Sequence, residues 1–345
     1  MIFDRLRRVL GRGESLLPFD MFDVTYTEQE ARRARRLENI YHVGQDKIWD
    51  GRQVLAELIE KHGKPQLTPV QRSALARIFS IIMWGELAAW KISAQLADEL
   101  VPLEAKMAAT SQVHDEARHF YVMHDYLEAL GDKPNKLDFW SRRVVELTLE
   151  TPSLAKKLLG MQLTIETIAL TIFQRVRELD VEPVLTELLP YYERDEARHV
   201  GLGVQTLPAL IAKMGFAERV DFALFHLDLY GSALASLKAM EPDLLSIGVD
   251  PRSILAICFR KQSDIDDMLR AEFPAWPTDP PEQRIFEGLC ELCFPSEGVG
   301  ATVPLAARVS HAVDVTRRKR MGVLEHVSKK TRNVRAAEAL RARAP

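Results

Sequence analysis

The sequence predicts an all-α protein built on a four-helix bundle, with additional helices before and after it. Apolar residues recur at three- and four-residue spacing through most of the 345-residue chain, whereas alternating runs of β-branched residues are scarce. The segment Asp-Glu-Ala-Arg-His also occurs twice, at residues 115–119 and 195–199. A lone glutamate precedes each copy at the same distance. The chain is therefore expected to contain two related pairs of helices.

The repeated segments have the residue types and spacing of a dinuclear metal site. Glu-x-x-His places a carboxylate and an imidazole on one helix face, because residues three apart are neighbours on a helix. Helical bundles hold two metal ions with one glutamate from each of two helices and Glu-x-x-His from each of the other two. Carboxylate-rich ligand sets favour iron or manganese. The six predicted ligands are Glu86, Glu116, His119, Glu166, Glu196 and His199.

The two lone glutamates, Glu86 and Glu166, lie in strongly apolar segments. The segments 81–90 and 158–173 are apolar on nearly every helix face, which indicates burial. A buried ionised carboxylate needs a partner, whereas an ordinary helix-surface glutamate is solvated. The sequence therefore favours a metal site over surface glutamates, and it predicts that the lone glutamates close the site and bridge the ions.

The motif resembles that of the ferritin-like, carboxylate-bridged di-iron superfamily. It is most similar to the radical-generating subunit of ribonucleotide reductase and to the hydroxylase subunits of bacterial multicomponent monooxygenases. The resemblance covers residues 68–214 and implies two iron ions, with manganese or a mixed Mn/Fe pair as alternatives. It also implies that Asp115, Arg118, Asp195 and Arg198 support the ligands. A carboxylate that accepts the free N–H of a ligating imidazole fixes the ring; simple surface ion pairs are the alternative.

Several positions depart from the subfamilies of this superfamily. Met123 stands where the reductase subunit has a tyrosine, so a stored tyrosyl radical of that type is not expected. Ala169 and Leu170 stand where the hydroxylases and the acyl carrier protein desaturases have a threonine. Tyr192 stands where the arylamine N-oxygenases have an additional histidine ligand. No single subfamily therefore matches the chain.

Tyr192 is the candidate catalytic residue besides the ligands. It lies four residues before Glu196 and so on the same helix face, where it would hydrogen-bond a ligand, donate an electron or line a substrate pocket. Packing in the bundle core is the alternative. Apolar residues near the ligands predict a pocket for a small hydrophobic molecule, although they would serve equally as packing. The predicted pocket residues are Met83, Trp90, Met123 and Leu170.

The resemblance implies an oxidoreductase that uses dioxygen to oxidise a small, hydrophobic organic molecule. The reaction would be a hydroxylation, N-oxygenation, desaturation or oxidative cleavage, with an external electron donor and a homodimeric protein. Two alternatives remain open. One is a ferritin-like ferroxidase or iron-handling protein, although those chains are shorter, and the other is a non-catalytic di-metal scaffold or sensor.

Composition and cysteine usage limit the surroundings in which the protein is expected to work. The net charge of −3 gives no reason to expect nucleic acid as a partner. The sequence contains no apolar run of about 18 residues and no signal-peptide core, so we expect a cytoplasmic protein without stable membrane insertion. The three cysteines suit a reducing compartment. Cys290 and Cys293 have a metal-binding or redox spacing, but one such pair is a weak signal.

The chain is expected to comprise an N-terminal helical extension, the di-metal bundle and a C-terminal helical extension with a basic tail. These regions are residues 1–67, 68–214 and 215–345. A connection is predicted at residues 41–51, between two short helices. Pro190 precedes the last ligand pair, so the fourth bundle helix is expected either to begin there or to be kinked there.

Overall fold

The computed structural model describes residues 28–272, 281–295, 303–319, 322 and 324. The regular secondary structure within these ranges is entirely helical, as the sequence predicts. Among the same residues, no helix combines the length and the apolar character that crossing a membrane requires. The first 27 residues of the predicted N-terminal extension and most of the predicted basic tail lie outside the described residues.

The helices are labelled in chain order. They are α1 (Glu28–Asp46), α2 (Gly51–His62), α3 (Pro69–Glu99), α4 (Leu103–Leu130), α5 (Phe139–Glu150), α6 (Leu154–Leu158), a π-helical segment π1 (Leu159–Ile165), α7 (Glu166–Glu178), α8 (Pro183–Ala212), α9 (Phe216–Ser246), α10 (Pro251–Glu272), α11 (Pro281–Cys293) and α12 (Leu305–Thr316). The segments α6, π1 and α7 follow one another without a break and form one long helical run.

The helices α3, α4, α6–π1–α7 and α8 form a four-helix bundle. The α3–α4 pair and the α7–α8 pair pack closely, and α4 also packs against α8. The additional helices cover this bundle: α1 and α2 lie on α4 and α8, α9 lies on α3 and α5, and α10 lies on α7. Two clusters of buried apolar side chains fill the interior. The predicted bundle with additional helices on both sides is confirmed.

Local signals in the sequence set several of the helix ends. Thr68 caps α3 in a capping box with Gln71, and Pro69 occupies the first turn, where its missing N–H has no cost. Asp50 caps α2 by accepting from the backbone N–H groups of residues 52 and 53. Gly131 ends α4 at φ 82°, in the left-handed region that favours glycine. Thr68, Pro69 and Gly131 are residue types that favour these positions at helix ends.

Helix α1 is longer than predicted. It continues to Asp46, so most of the connection expected at residues 41–51 is helical. Close packing on α4 explains the difference, because a Cβ atom on Gly44 would lie 2.1 Å from Ser111 Oγ. The glycine in α1 therefore permits a close approach to α4 near the ligand helices.

Two irregularities occur in the helices that carry the second set of predicted ligands. The π-helical segment π1 stands immediately before Glu166, and Thr164 Oγ1 donates to the carbonyl oxygen of Leu159 at 2.8 Å. Pro190 lies inside α8, which begins at Pro183, so the helix does not start at Pro190. Such π-helical turns are frequent at functional sites.

Candidate metal centre

The six predicted ligands meet in the interior of the bundle. Each of them is at most 4% exposed. They come from four helices: Glu86 from α3, Glu116 and His119 from α4, Glu166 from the start of α7, and Glu196 and His199 from α8. Their donor atoms form two overlapping groups, and within each group all atoms lie within 4.8 Å of one another.

Glu116 and Glu196 belong to both groups. Glu116 Oε2 lies 3.7 Å from His119 Nδ1, while Glu116 Oε1 lies 3.0 Å from His199 Nδ1. Glu196 repeats this arrangement, with Oε1 3.1 Å from His119 Nδ1 and Oε2 3.0 Å from His199 Nδ1. Each of these carboxylates therefore presents one oxygen to each half of the site, which is the geometry of a bridging ligand.

The lone glutamates occupy the outer positions of the cluster. Glu86 Oε2 lies 3.5 Å from His119 Nδ1, and Glu166 Oε1 lies 4.0 Å from His199 Nδ1. Each belongs to one group only, which differs from the expectation that these two residues bridge the ions. The reason lies in the helix packing. Helices α4 and α8 pack directly on each other, so their own glutamates reach both halves of the site.

The donor atoms of the cluster fit a pair of metal ions. The group of donor atoms that includes Glu86 and His119 contains three buried atoms without a hydrogen-bond partner among the described residues. They are Glu116 Oε2, His119 Nδ1 and Glu196 Oε1. Buried polar atoms are rarely left without a partner. A cation bound by all three atoms would satisfy them. The cluster as a whole offers carboxylate oxygens and two imidazole nitrogens, a ligand set that suits iron or manganese.

Burial shifts the protonation of the outer glutamates. Burial, followed by the charge of Glu196, raises the pKa of Glu86 well above its usual range. The same two causes raise the pKa of Glu166. Without metal, burial therefore favours the neutral form of these two carboxyl groups, because an additional negative charge in this interior is unfavourable.

The pKa values of the other two glutamates are lowered and those of the two histidines are raised, so the charged forms of these four residues are favoured. Burial alone would raise the pKa of Glu116, but His199 holds it well below the usual range. Burial also opposes a charged His119, yet its contact with Asp195 and the nearby carboxylates of the cluster raise its pKa well above the usual range. In the metal-free cluster, the outer glutamates and the two histidines thus favour their protonated forms, whereas Glu116 favours its charged form.

The two aspartates beside the ligands each support the histidine of the other repeat. Asp195 Oδ2 lies 3.2 Å from His119 Nε2, and Asp115 Oδ2 lies 3.3 Å from His199 Nε2. Because the Nε2 atoms are engaged in this way, the Nδ1 atoms face the carboxylates of the site. An aspartate in this position fixes the orientation of the ring and raises its basicity.

The two arginines connect the aspartates to each other. Arg118 Nη2 donates to Asp115 Oδ1 and, at 3.0 Å, to Asp195 Oδ2. Arg198 Nη2 donates to Asp115 Oδ2 at 2.7 Å, and Arg198 Nη1 lies 2.9 Å from Asp195 Oδ1. All four side chains are at most 8% exposed, so they are not surface ion pairs. The two aspartates contact His119 and His199, and the two arginines contact the aspartates.

Tyr192 packs against a ligand and does not line the cavity described below. Its ring stacks on His119 with the centroids 4.4 Å apart, and its hydroxyl donates to the backbone carbonyl of His119 at 2.9 Å. Burial raises the pKa of Tyr192 well above its usual range, so the phenol is neutral. Tyr192 is not among the residues that line this cavity. The structure places the tyrosine hydrogen bond on the backbone of a ligand residue.

Trp49 was not predicted to belong to the site. Its indole Nε1 donates to Asp195 Oδ2 at 2.8 Å, and its ring lies under Arg118 at 4.9 Å. Trp49 lies between α1 and α2, outside the repeated segments, so no spacing in the sequence connects it to the ligands. A tertiary contact alone brings it to the centre.

Two buried glutamines were also missed. Gln112 Nε2 donates to Glu116 Oε1 at 2.9 Å and to Glu166 Oε1 at 3.1 Å. Gln162 Nε2 donates in turn to Gln112 Oε1 at 3.3 Å. A signal for Gln112 was present in the sequence, because it precedes Glu116 by four residues just as Tyr192 precedes Glu196.

A largely apolar cavity of about 610 Å³ lies beside the cluster. Glu86 and Glu166 form part of its wall, together with Gly85, Ala89 and Ala169. The remaining wall consists mainly of aliphatic and aromatic side chains from α3, α5, π1, α7, α8, α9 and α10. Pockets of roughly 300–1,000 Å³ hold organic ligands.

The four residues predicted to line a pocket do not line this cavity. Met83 and Met123 are buried in the core, Leu170 is at the edge of burial, and Trp90 is 39% exposed. The cavity residues of α3 lie on one flank of Glu86, whereas Met83 and Trp90 lie on the other. Spacing along a helix identifies the face of a ligand but does not identify the flank that adjoins a cavity.

The remaining metal-ligand and cysteine signals do not add to this centre. A third group of candidate ligands, made of His124, Asp125 and Glu128, lies at the protein surface. The three cysteines are free, and Cys290 and Cys293 lie on α11. Neither is among the candidate metal groups found in the described part of the chain.

Comparisons with known proteins give similarity at the level of structure. No protein-family model matches the sequence, and no curated protein is similar to it in sequence. A solved structure from Synechococcus, described as protein 19 with aldehyde deformylating oxidase activity, superposes with a TM-score of 0.50 and 16% identity. The match covers 64% of this chain and 96% of that chain. The chain has the ferritin-like fold.

A second solved structure is a mutant of an R2-like ligand-binding oxidase with an aerobically reconstituted Mn/Fe cofactor. It has a TM-score of 0.43 and 13% identity, and the match covers 83% of this chain and 94% of that chain. The ferritin-like fold agrees with the resemblance that the repeated Asp-Glu-Ala-Arg-His segment indicated.

Proposed function

We propose that the protein is a dinuclear iron oxidoreductase that uses dioxygen to oxidise a small hydrophobic organic molecule. The supporting observation is the conjunction of six buried ligand residues with an apolar cavity of about 610 Å³ that adjoins two of them. Dioxygen or an iron ion alone would not need a cavity of this size. The ferroxidase alternative is therefore less well supported than oxidation of an organic substrate. The structural relative from Synechococcus is named for an oxidase activity, which agrees with the proposal.

The proposed ligands are assigned as follows. Glu86, Glu116, His119 and Glu196 would hold one ion, and Glu116, Glu166, Glu196 and His199 would hold the other, with Glu116 and Glu196 in the bridging positions. Iron is the favoured metal, and manganese or a mixed Mn/Fe pair is the alternative. When bound, the pair of ions would supply electrons and a binding position for the reduction of dioxygen.

The protein would contribute orientation, charge balance and exclusion of water. Asp115 and Asp195 fix the ligand imidazoles, and Arg118 and Arg198 fix the aspartates. The apolar wall beside Glu86 would hold the substrate against the metal centre and keep bulk water away from the reacting atoms. An external electron donor and a homodimer remain part of the proposal through the resemblance, and a cytoplasmic location remains part of it through the cysteine usage.

The proposal is tested by loading the metal-free protein with ferrous iron in the absence of oxygen. We expect the protein to take up two iron ions per chain. When oxygen, a reductant and a panel of small apolar alcohols, aldehydes and amines are then added, we expect the protein to consume dioxygen and to form an oxidised product. Mass analysis identifies the product. Oxygen consumption with iron oxide as the sole product would support the ferroxidase alternative, and absence of iron uptake would contradict both.

A cavity variant tests whether the organic molecule occupies the space beside Glu86. Gly85 lines the cavity, and a Cβ atom built there meets nothing within 4 Å, so Gly85→Leu would reduce the cavity without a clash at Cβ. Gly231→Leu is the matched control, because a Cβ on this helical glycine also meets nothing within 4 Å and Gly231 does not line the cavity. We expect Gly85→Leu to retain two iron ions but to lose most product formation, and Gly231→Leu to retain both.

A further inference from the structure

The cavity contains a neutral polar patch that the metal centre does not use. It is formed by His226 and Tyr230 on α9 and by Gln262 on α10, all of which line the cavity. Tyr230 donates its hydroxyl to Gln262 Oε1 at 3.4 Å, and the His226 ring meets the Tyr230 ring edge to face with centroids 4.1 Å apart. Most of the remaining wall is apolar.

His226 is the member of the patch whose hydrogen-bonding capacity is unused. Within the part of the chain that the structure describes, its contacts are aromatic, with Tyr230 and Phe222, and its buried Nε2 has no hydrogen-bond partner. A buried polar atom without a partner costs free energy, which a ligand that supplies the partner would recover.

The patch has no charge of its own. Burial is the single cause that shifts the pKa of His226, lowering it to about 4, so the imidazole is neutral at pH 7. A neutral imidazole offers one donor and one acceptor nitrogen. Arg219, a charged residue of the same cavity wall, is exposed, and its Nε donates to the Met214 carbonyl at 3.2 Å. An ionic group placed at His226 would therefore lack a counter-charge, whereas a hydroxyl or carbonyl group would not need one.

We propose that His226 determines substrate specificity by hydrogen-bonding an uncharged hydroxyl or carbonyl group of a substrate whose apolar part fills the cavity. This inference deepens the proposed function and rests on it for the view that the ligand of the cavity is the substrate. The substrate class is thus a neutral amphiphile. A few polar groups in an apolar pocket commonly fix the orientation of a ligand in this way.

The test measures binding without turnover, using 1-octanol and octane as probes that differ in one hydroxyl group. Displacement of Nile red from the protein as purified, kept free of oxygen, gives the affinity of each. We expect His226→Phe to weaken 1-octanol binding about tenfold, the typical effect of one hydrogen bond, and to leave octane binding unchanged. His226→Gln, which restores a donor and an acceptor, should recover part of the loss.

The control variant and the contradicting results separate loss of the His226 hydrogen bond from a general change in the cavity. Phe222→Leu changes an apolar neighbour of His226 and should affect both probes equally. Equal 1-octanol affinity in His226→Phe and in the unchanged protein would overturn the inference, provided that circular dichroism shows both to be folded. A larger effect of His226→Phe on sodium octanoate than on 1-octanol would overturn the neutral substrate class. Failure of the proposed function is a separate result, because it is read from metal uptake and product formation.

Discussion

At the scale of single residues, the site depends on which carboxylates present two oxygens to the cluster. Glu116 and Glu196 each direct one oxygen towards His119 and the other towards His199. The identities of all six residues in the cluster were predictable from the sequence, because the repeated motif gives ligand types at helix spacing. The division between bridging and outer positions was not predictable, since it depends on which helices pack directly on each other.

Removal of a bridging carboxylate should affect both ions, and removal of an outer one should affect mainly the nearer ion. We expect Glu116→Ala to bind fewer than one iron ion per chain and Glu86→Ala to retain about one, measured by elemental analysis after anaerobic loading and desalting. Glu104→Ala is the control, because Glu104 is a partly exposed glutamate on the same helix as Glu116 and belongs to no candidate metal group found in the described residues. Equal metal content in Glu116→Ala and Glu86→Ala would contradict the bridging assignment.

Trp49 should contribute to metal affinity through Asp195. Trp49→Phe keeps an aromatic ring but removes the donor that lies 2.8 Å from Asp195 Oδ2. Loss of such a supporting hydrogen bond typically lowers metal affinity by about tenfold to a hundredfold, which competition with a chelator measures. Trp90→Phe, at a partly exposed tryptophan outside the cluster, should leave the affinity unchanged. An unchanged affinity in Trp49→Phe would show that the contact does not tune the centre.

Metal affinity should rise with pH. The raised pKa values of Glu86, Glu166, His119 and His199 mean that the metal-free cluster retains protons near neutral pH. Metal binding requires their release, so a lower pH favours the metal-free form and a higher pH favours the bound form. Titration with ferrous iron at about pH 6, 7 and 8 should give progressively tighter binding, and calorimetry in two buffers should detect the released protons. Binding independent of pH would contradict this view.

At the scale of helices, the ligand positions depend on close contacts that the sequence indicated only in part. Gly203 follows His199 by four residues, and a Cβ atom on Gly203 would lie 2.8 Å from Gln162 Cβ in π1. The capping signals at Thr68 and Gly131 also matched the helix ends. The π-helical turn was not predicted, because its extra residue per turn leaves no distinctive residue pattern.

A methyl group at Gly203 should destabilise the contact between α8 and π1. We expect Gly203→Ala to lower the free energy of unfolding by about 1–3 kcal/mol, the usual cost of overpacking. The nearest atom to the new methyl group is the Cβ of Gln162, which cannot move without its backbone. Gly231→Ala, where a Cβ meets nothing within 4 Å, should instead raise it by about 0.5–1 kcal/mol through helix propensity. Urea denaturation measures both. Equal effects of the two substitutions would show that α8 and π1 are not in tight contact at Gly203.

At the scale of the whole molecule, a doubled sequence motif folds into one centre with approximate twofold character. Each aspartate of one copy supports the histidine of the other, so neither copy completes a site alone. The corresponding positions Gln112 and Tyr192 differ, which makes the two halves chemically unequal. The sequence predicted the bundle, the six residues of the buried cluster and an apolar pocket near them, but it did not predict which residues line the cavity. Part of the cavity wall comes from α9 and α10, which lie outside the motif.

The central claim is that these six residues hold two metal ions. Anomalous X-ray scattering from crystals of the iron-loaded protein, collected at the iron edge, tests it most directly. We expect two peaks, one next to Glu86 and His119 and the other next to Glu166 and His199, with carboxylate oxygens of Glu116 and Glu196 bonded to both ions. A single peak in the cluster, or iron bound elsewhere with the cluster empty, would contradict the claim.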